Sequence, residues 1–268
     1  MSKNIKIAWF SAGITSAVAC KLAIEKYDDV ELFYIHIASA HPDNARFIAD
    51  CERWYGKKIN IIGNPGAYAD QFDVIRKTKY VNGPTGARCT LELKKNARRE
   101  LEKLYPGASQ IFGFEYSRPE INRAIRFKEQ NPHTNPIFPL IESKLTKDEC
   151  AGIILSAGIE FPAMYLLGYS NNNCIGCVKG KKGYWNKIRQ DFPDVFAEMA
   201  AAEREVGATC IKEDLPGGGS VQIYLDELPP HEGNIPRAVI PDCGMFCAIE
   251  FAHIMDARVE DVMKGEKV

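Results

Sequence analysis

The chain has 268 residues, 46% of them apolar, and a formal net charge of −1. That length suits one large domain or a main domain with an appended lobe, and the apolar share is enough for a sizeable core. The charge balance gives no overall field toward nucleic acid or an anionic membrane, and the longest apolar runs are far too short to span a bilayer. Met-Ser-Lys-Asn leads straight into a strand pattern without the marks of a signal peptide, so a cytoplasmic location is expected.

Residues 5–10 form a short, nearly all-apolar run, as expected of a strand buried on both faces of a parallel sheet. Helical periodicity follows over 15–26, then a second buried strand over 30–37 and a second helix over 44–55. Residues 58–62 read as a third strand, 91–104 as a helix and 109–113 as a fourth strand. Strands alternating with helices of this length indicate βαβ units with right-handed crossovers. The fold class expected is therefore α/β, a doubly wound, mostly parallel sheet over residues 1–140, with a helical, cysteine-containing lobe over 141–268. In that lobe Thr146 and Glu149 frame a capping box for a helix over 146–157. A Gly/Asn/Lys-rich stretch and a helix over 193–206 come next, and three consecutive glycines (217–219) mark a mobile loop or lobe boundary.

The first strand runs into Ser11-Ala12-Gly13-Ile14-Thr15-Ser16 and then into a helix. Such a corner presents unpaired backbone N–H groups and the positive end of the helix dipole, which suits phosphate. Ser11, Thr15 and Ser16 add hydroxyl donors, while an ordinary tight βα turn fits the same residues. No Gly-Lys-Ser/Thr follows and three glycines are lacking, so neither the usual P-loop nor the dinucleotide fingerprint is present.

Nine cysteines in a reducing compartment point to metal or redox chemistry where they cluster. Cys20, Cys51 and Cys150 sit in helical patterns and read as packed thiols. Cys174-Ile-Gly-Cys177 lies in a Gly/Asn loop, a geometry in which two thiolates hold one metal ion or cluster. Cys243 and Cys247, a Cys-x-x-x-Cys, fit a closed four-thiolate zinc site with them, while Cys247 in the apolar run 245–251 fits a packed thiol as well. Cys210 is a reserve ligand.

The loop of residues 11–16 resembles the Ser-Gly-Gly-x-x-Ser pyrophosphate loop of the N-type ATP pyrophosphatases, and within them the phosphoadenosine-phosphosulfate reductase family and its phage-type relatives. "HPDNARFIADCERWYG", "ARCTLELKK" and "GYSNNNCIGC" match further family segments in order, so that the resemblance covers residues 5–206. It implies an adenine nucleotide alpha-hydrolase-like fold binding an adenine nucleotide (ATP or PAPS) through Ser11, Ala12, Gly13, Ile14, Thr15, Ser16, Ser39, Gly113 and Arg123. It places Cys89 and Lys94 in the chemistry, Lys94 against phosphate or sulfate. It also gives Cys89, Cys174 and Cys177 as three ligands of a [4Fe–4S] cluster with one open iron. Four departures stand out: Ala12 replaces a loop glycine, Ile14-Thr15 replaces a Lys-Asp pair, Ala38-Ser39-Ala40 replaces Asp-Thr-Gly, and no Glu-Cys-Gly-Leu-His nucleophile motif is present.

Basic residues follow the Cys-x-x-Cys at Lys179, Lys181, Lys182, Lys187 and Arg189, interleaved with aromatics. They suit a polyanion or a stacked base, so the loop of residues 179–187 is a candidate nucleic-acid contact; a mobile surface loop fits as well. The expected partners are the nucleotide, a sulfur acceptor or donor and a second copy of the chain, with no membrane. The function expected from the resemblance is an adenine-nucleotide-dependent enzyme of sulfur chemistry, carrying a cysteine-bound cluster or zinc. Two alternatives are a sulfonucleotide (PAPS or APS) reductase proper with a cysteine nucleophile, and a non-catalytic, zinc-stapled nucleotide- or nucleic-acid-binding protein.

Overall fold

In the computed structural model, residues 5–63, 66, 68–83 and 86–234 are described. Four parallel strands, β1 (Lys6–Phe10), β2 (Val30–Ile35), β3 (Ile59–Ile62) and β4 (Ser109–Ile111), lie in the order β3-β2-β1-β4. β1 sits in the middle, with Ala8 opposite Leu32 on one side and Ile111 on the other. Side chains alternate across it. Ala8 and Phe10 face a core shared with α1 (Ile14–Lys26), α2 (Asn44–Tyr55) and α8 (Lys147–Ser156), whereas Ile7 faces Phe33 and Leu101 on the other side. The two-sided burial explains why these strands read as continuous apolar runs. After β4 come α6 (Arg118–Gln130) and the short α7 (Pro139–Glu142), and Thr146 then caps α8 through the full capping box with Glu149.

Because β2 and β3 lie to one side of β1 and β4 to the other, the chain reverses its winding between β1 and β4. In open α/β sheets that switch point, at the carboxyl ends of the strands, opens a crevice for ligands. The wall beyond it is a helix that begins as α4 (Arg88–Thr90), passes through a π-helical turn (Leu91–Lys95) and continues as α5 (Asn96–Leu104). The extra backbone residue of a π turn redirects side chains, and such turns recur at functional sites.

A second core joins α3 (Gln71–Thr78), α9 (Ala163–Leu166), α10 (Lys182–Asp191) and α11 (Pro193–Val206) around Trp185, Met164, Ile188, Met199 and Leu225. Residues 182–191, part of the basic loop in the sequence reading, are helical, and Trp185 is fully buried there. The triple glycine is the turn of an antiparallel hairpin, β5 (Ile211–Asp214) and β6 (Ser220–Ile223). Among the described residues no helix is long and apolar enough to cross a membrane.

Candidate functional site

A cavity of about 580 Å³ opens at the carboxyl ends of β1, β2 and β4, within the size range of small-molecule sites. Trp9, Phe10 and Ser11 reach it from β1, Tyr34 and Ile35 from β2, and Phe112 and Phe114 from the segment after β4. Lys94, Lys95, Arg98, Arg123, Arg126 and Lys179 all line it, and no described carboxylate does. A chain that is nearly neutral overall thus places six cations around one hole. Arg98 and Arg123 pair with Glu102 and Glu120 behind the wall. Lys94, Lys95, Arg126 and Lys179 have no salt bridge to a described residue and are free to meet an anion. The aromatic part of the wall comes from Phe112, Phe114 and Phe127, packed edge to face, with the Arg123 guanidinium 4.2 Å from the Phe114 ring centroid.

The Cys-x-x-Cys loop forms the third side. Ile175 N–H donates to the Ser39 carbonyl at 2.9 Å, Gln71 Nε2 donates to the Ile175 carbonyl at 2.9 Å, and the Tyr184 hydroxyl accepts from Cys177 N–H at 2.9 Å. These bonds fix Cys174 in the pocket wall. Gly176 takes φ +74°, a left-handed turn that brings Cys177 back beside Cys174. Asn172 ties this loop to the corner after β1, donating to the Ala12 carbonyl at 2.6 Å and to Asn44 Oδ1 at 2.7 Å. Its own Oδ1 is buried without a hydrogen-bond partner in a residue that lines the pocket.

Cys89, Cys177 and Cys210 gather behind Cys174. Burial pushes Cys89 up to about 11, aided by Cys177 and Cys174, while Lys94 and Lys179 oppose the shift. Cys177 is raised by burial and then by Cys174. Cys210 is raised by burial and by the buried Glu203 carboxylate, with smaller effects from Cys177 and Cys89. The Lys94 ammonium is held charged above the ordinary lysine value chiefly by Cys174, with Cys177, Cys89 and Tyr34 adding to it against desolvation. The thiols therefore share one neighbourhood. Among the described residues, however, no three of His, Cys, Asp or Glu are arranged to hold a metal ion. Cys243 and Cys247, the remaining donors of the zinc set, lie outside the described residues.

The other residues singled out in the sequence are distributed as follows. Of the loop 11–16, Ser11 lines the cavity. The Ser16 hydroxyl is spent inside the loop, donating to the Gly13 carbonyl at 2.8 Å and accepting from the Ser11 amide and hydroxyl, both at 3.0 Å. Gly13 caps α1, Ile14 is fully buried in the core, and Thr15 stands in the first turn of α1 outside the lining. Ser39 supplies its carbonyl to the Cys-x-x-Cys loop, and Gly113 packs on the backbone of Ser16. Lys94 and Arg123 stand in the wall, and Cys89 lies beside the lining residues Ala87 and Thr90. In the basic stretch Lys182 pairs with Glu213 and Glu232, Lys187 pairs with Asp191, and Arg189 donates to the Leu225 and Leu228 carbonyls. Those three cations are occupied by structure, and of the remaining two Lys179 lines the pocket while Lys181 does not. Sequence reasoning gave no site role to Arg126, Lys95, Phe114 and Asn172; of these Lys95 and Asn172 stood inside matched segments.

Ala12 has φ +57° and is fully buried. Left-handed backbone costs a non-glycine residue about 1 kcal/mol or more, which is why a glycine suits this corner. Ala12→Gly relieves that strain but removes a buried methyl worth about 0.8 kcal/mol, so stability should change little. Ala12→Val adds branched bulk to a left-handed, packed position and should cost about 3 kcal/mol. Its melting temperature should fall by roughly 10 °C, and thermal denaturation of both variants checks the pair.

Comparison with known proteins gives three findings. The family profile of the phosphoadenosine phosphosulfate reductase domain matches residues 6–181. A phosphoadenylyl-sulfate (PAPS) reductase from Candida auris, solved as a phosphate complex, is 15% identical, with a TM-score of 0.45 over 62% of this chain and 78% of that one. No curated protein matches.

Proposed function

From the premise that the chain belongs to the phosphoadenosine phosphosulfate reductase domain family, we propose that it binds an adenine sulfonucleotide in the cationic pocket and reduces its sulfate group with pocket thiols. One observation carries this reading: Lys94, Lys95, Arg126 and Lys179 converge, without a carboxylate partner among the described residues, on a cavity that Cys174 also lines. Multiple anionic groups and a sulfur-reactive group are thereby called for at one place. Phe112, Phe114 and Phe127 offer rings on which a purine stacks. The unpartnered Asn172 Oδ1 suits a donor on the ligand, an amino or hydroxyl group.

The chemistry is then a pair of displacements at sulfur. Cys174, as thiolate, attacks the sulfate sulfur; the bond from sulfur to the phosphate oxygen breaks, and the nucleotide phosphate leaves on the cations. This forms an S-sulfonate on Cys174. Cys177, as thiolate, attacks the Cys174 sulfur and expels sulfite, leaving a Cys174–Cys177 disulfide. The two electrons gained by sulfur come from the two thiols, each of which has released a proton. An external dithiol resets the disulfide. Lys94 serves both steps by offsetting negative charge on the departing phosphate and on Cys174.

The test is release of sulfite and of adenosine 3′,5′-bisphosphate from the 3′-phosphorylated adenylyl sulfate in the presence of a dithiol. Nucleotide binding without any product would remove the catalytic part of the reading. Lys94→Ala should weaken adenosine 3′,5′-bisphosphate binding by about 10- to 100-fold, the worth of one charge-assisted bond to phosphate. Its deficit should shrink as salt screens the remaining cations. Calorimetric titration at low and high salt measures both effects, and an affinity within twofold of the parent would show that Lys94 does not touch the ligand.

A second reading rests on the neighbourhood shared by Cys89, Cys174, Cys177 and Cys210. Four thiols drawn from three chain segments are the number of donors an iron–sulfur cluster takes, and a bound cluster would require them to draw together, since no three described donors are placed to hold a metal ion. Purification without oxygen, with iron and sulfide analysis, separates the readings. A stoichiometric cluster would commit Cys174 to ligation and displace the thiol route.

A further inference from the structure

The corner after β1 has the form of a pyrophosphate loop, but the protein itself answers its donors. Tyr165, on α9, is 3% exposed, and the backbone amides of Ile14 and Asn172 lie close enough to its hydroxyl to oppose the rise in pKa that burial causes. Ile14 is the first residue of α1, so this N–H is among the orphan donors that an anion at the helix start would take. A Cβ built on Gly13 would come within 3.3 Å of the same phenol oxygen. The neighbouring donors are engaged as well: the Ser11 amide and hydroxyl go to Ser16, and the Ser16 proton goes to Gly13. Gly113 closes over the next turn, where a Cβ would lie 2.8 Å from the Ser16 nitrogen.

The arrangement is held from outside. Lys147, on α8, donates to the Ser170 carbonyl and to Asn171 Oδ1, and its ammonium lies 5.7 Å from the Tyr165 ring centroid. Asn172, next in the chain, grips the Ala12 carbonyl. Asn172 thus fastens the strap from 165 to 172 to the corner, and the Tyr165 hydroxyl stands at the same corner. A neutral phenol there occupies the start of the helix without bringing charge.

Resting on the nucleotide reading above, we propose that Tyr165 is a specificity-determining residue. Its hydroxyl fills the place at the first turn of α1 where a pyrophosphate oxygen would take the Ile14 N–H. The pocket therefore accepts nucleotides whose phosphate and sulfate groups reach the lysine and arginine wall, and refuses to seat the pyrophosphate of a nucleoside triphosphate in the loop. Cleavage of ATP to AMP and pyrophosphate is accordingly absent.

Amide spectra of the full-length, 15N-labelled protein test this, titrated first with pyrophosphate and then with adenosine 3′,5′-bisphosphate. Pyrophosphate is expected to leave the Gly13 and Ile14 amides in place, whereas the bisphosphate moves the amides of residues 94–95 and 172–174. A saturable shift of the Ile14 amide by pyrophosphate in the parent protein overturns the proposal. So does release of AMP and pyrophosphate from ATP. Tyr165→Ala, which empties the place of the ring, should bind pyrophosphate at least about tenfold more tightly than the parent; a folded variant with unchanged affinity also overturns it. The parent spectra decide the matter if that variant does not fold. Failure of the bisphosphate to shift any pocket amide, with Ile14 likewise unmoved by pyrophosphate, instead removes the nucleotide reading on which the selection rests.

Discussion

Cys174→Ser is expected to abolish sulfite release, by at least about 10³-fold, while adenosine 3′,5′-bisphosphate affinity stays within about twofold of the parent. The substitution changes one atom in the pocket wall and leaves Lys94, Arg126 and Lys179 in place, so the anion-binding surface persists. What disappears is the polarisable thiolate, because a serine hydroxyl is barely ionised near neutrality and forms no bond to sulfur that a second thiol can reduce. Cys177→Ser should behave differently. The first displacement still occurs, so one equivalent of nucleotide is released in a burst and Cys174 gains the mass of a sulfonate group, visible in the intact protein. The asymmetry follows from position, since Cys174 lines the cavity and Cys177 stands behind it. Full turnover by Cys174→Ser would put the reacting thiol elsewhere. Loss of a bound cluster in both variants alike would favour the iron–sulfur reading.

How much of this was legible in the sequence depended on whether the cause was local. β1 and β2 were readable because both faces of the sheet are covered, leaving Ile7, Ala8, Leu32 and Phe33 as unbroken apolar runs. α8 was readable because Thr146 and Glu149 cap it through three-residue spacing. α10 was not: its glycine, lysines and aromatics suggest a loop, and only packing of Trp185 and Ile188 into a distant core makes it helical. The site divides the same way. Lys94 and Cys174 belong to short motifs, whereas Arg126 and Phe114 acquire meaning only when the segments after β4 fold against β1. The chemistry of the corner was hardest to see. Its composition advertises a phosphate loop, but the positive φ of Ala12, the internal use of the Ser16 hydroxyl and the phenol of Tyr165 arise from contacts more than a hundred residues apart as well as from the loop itself.

Gly113→Ala should be the most damaging conservative change in the sheet region, costing about 3 kcal/mol or more. A Cβ at this position would stand 2.6 Å from the Ser16 Cα and 2.8 Å from its nitrogen. These are backbone atoms of the first turn of α1, which no rotamer change can move aside. Relief requires that either α1 or the segment after β4 shift, and both are constrained. The helix start is bound through Ser16 to Ser11 and Gly13, and Phe112 is held by its amide bond to the Ile137 carbonyl at 3.0 Å. Phe112 and Phe114 flank the glycine and line the pocket, so the same displacement should also weaken nucleotide binding. Gly107→Ala separates steric from conformational cost. Gly107 has φ +76° with nothing within 4 Å of a built Cβ, so it should lose only about 1 kcal/mol from left-handed strain. Thermal denaturation should show the Gly113 variant melting roughly 6–12 °C below the parent and the Gly107 variant only a few degrees below. Equal losses would mean that the chain after β4 yields freely. The close seating of β4 on α1 would then not be what holds the aromatic wall of the pocket against its cationic one.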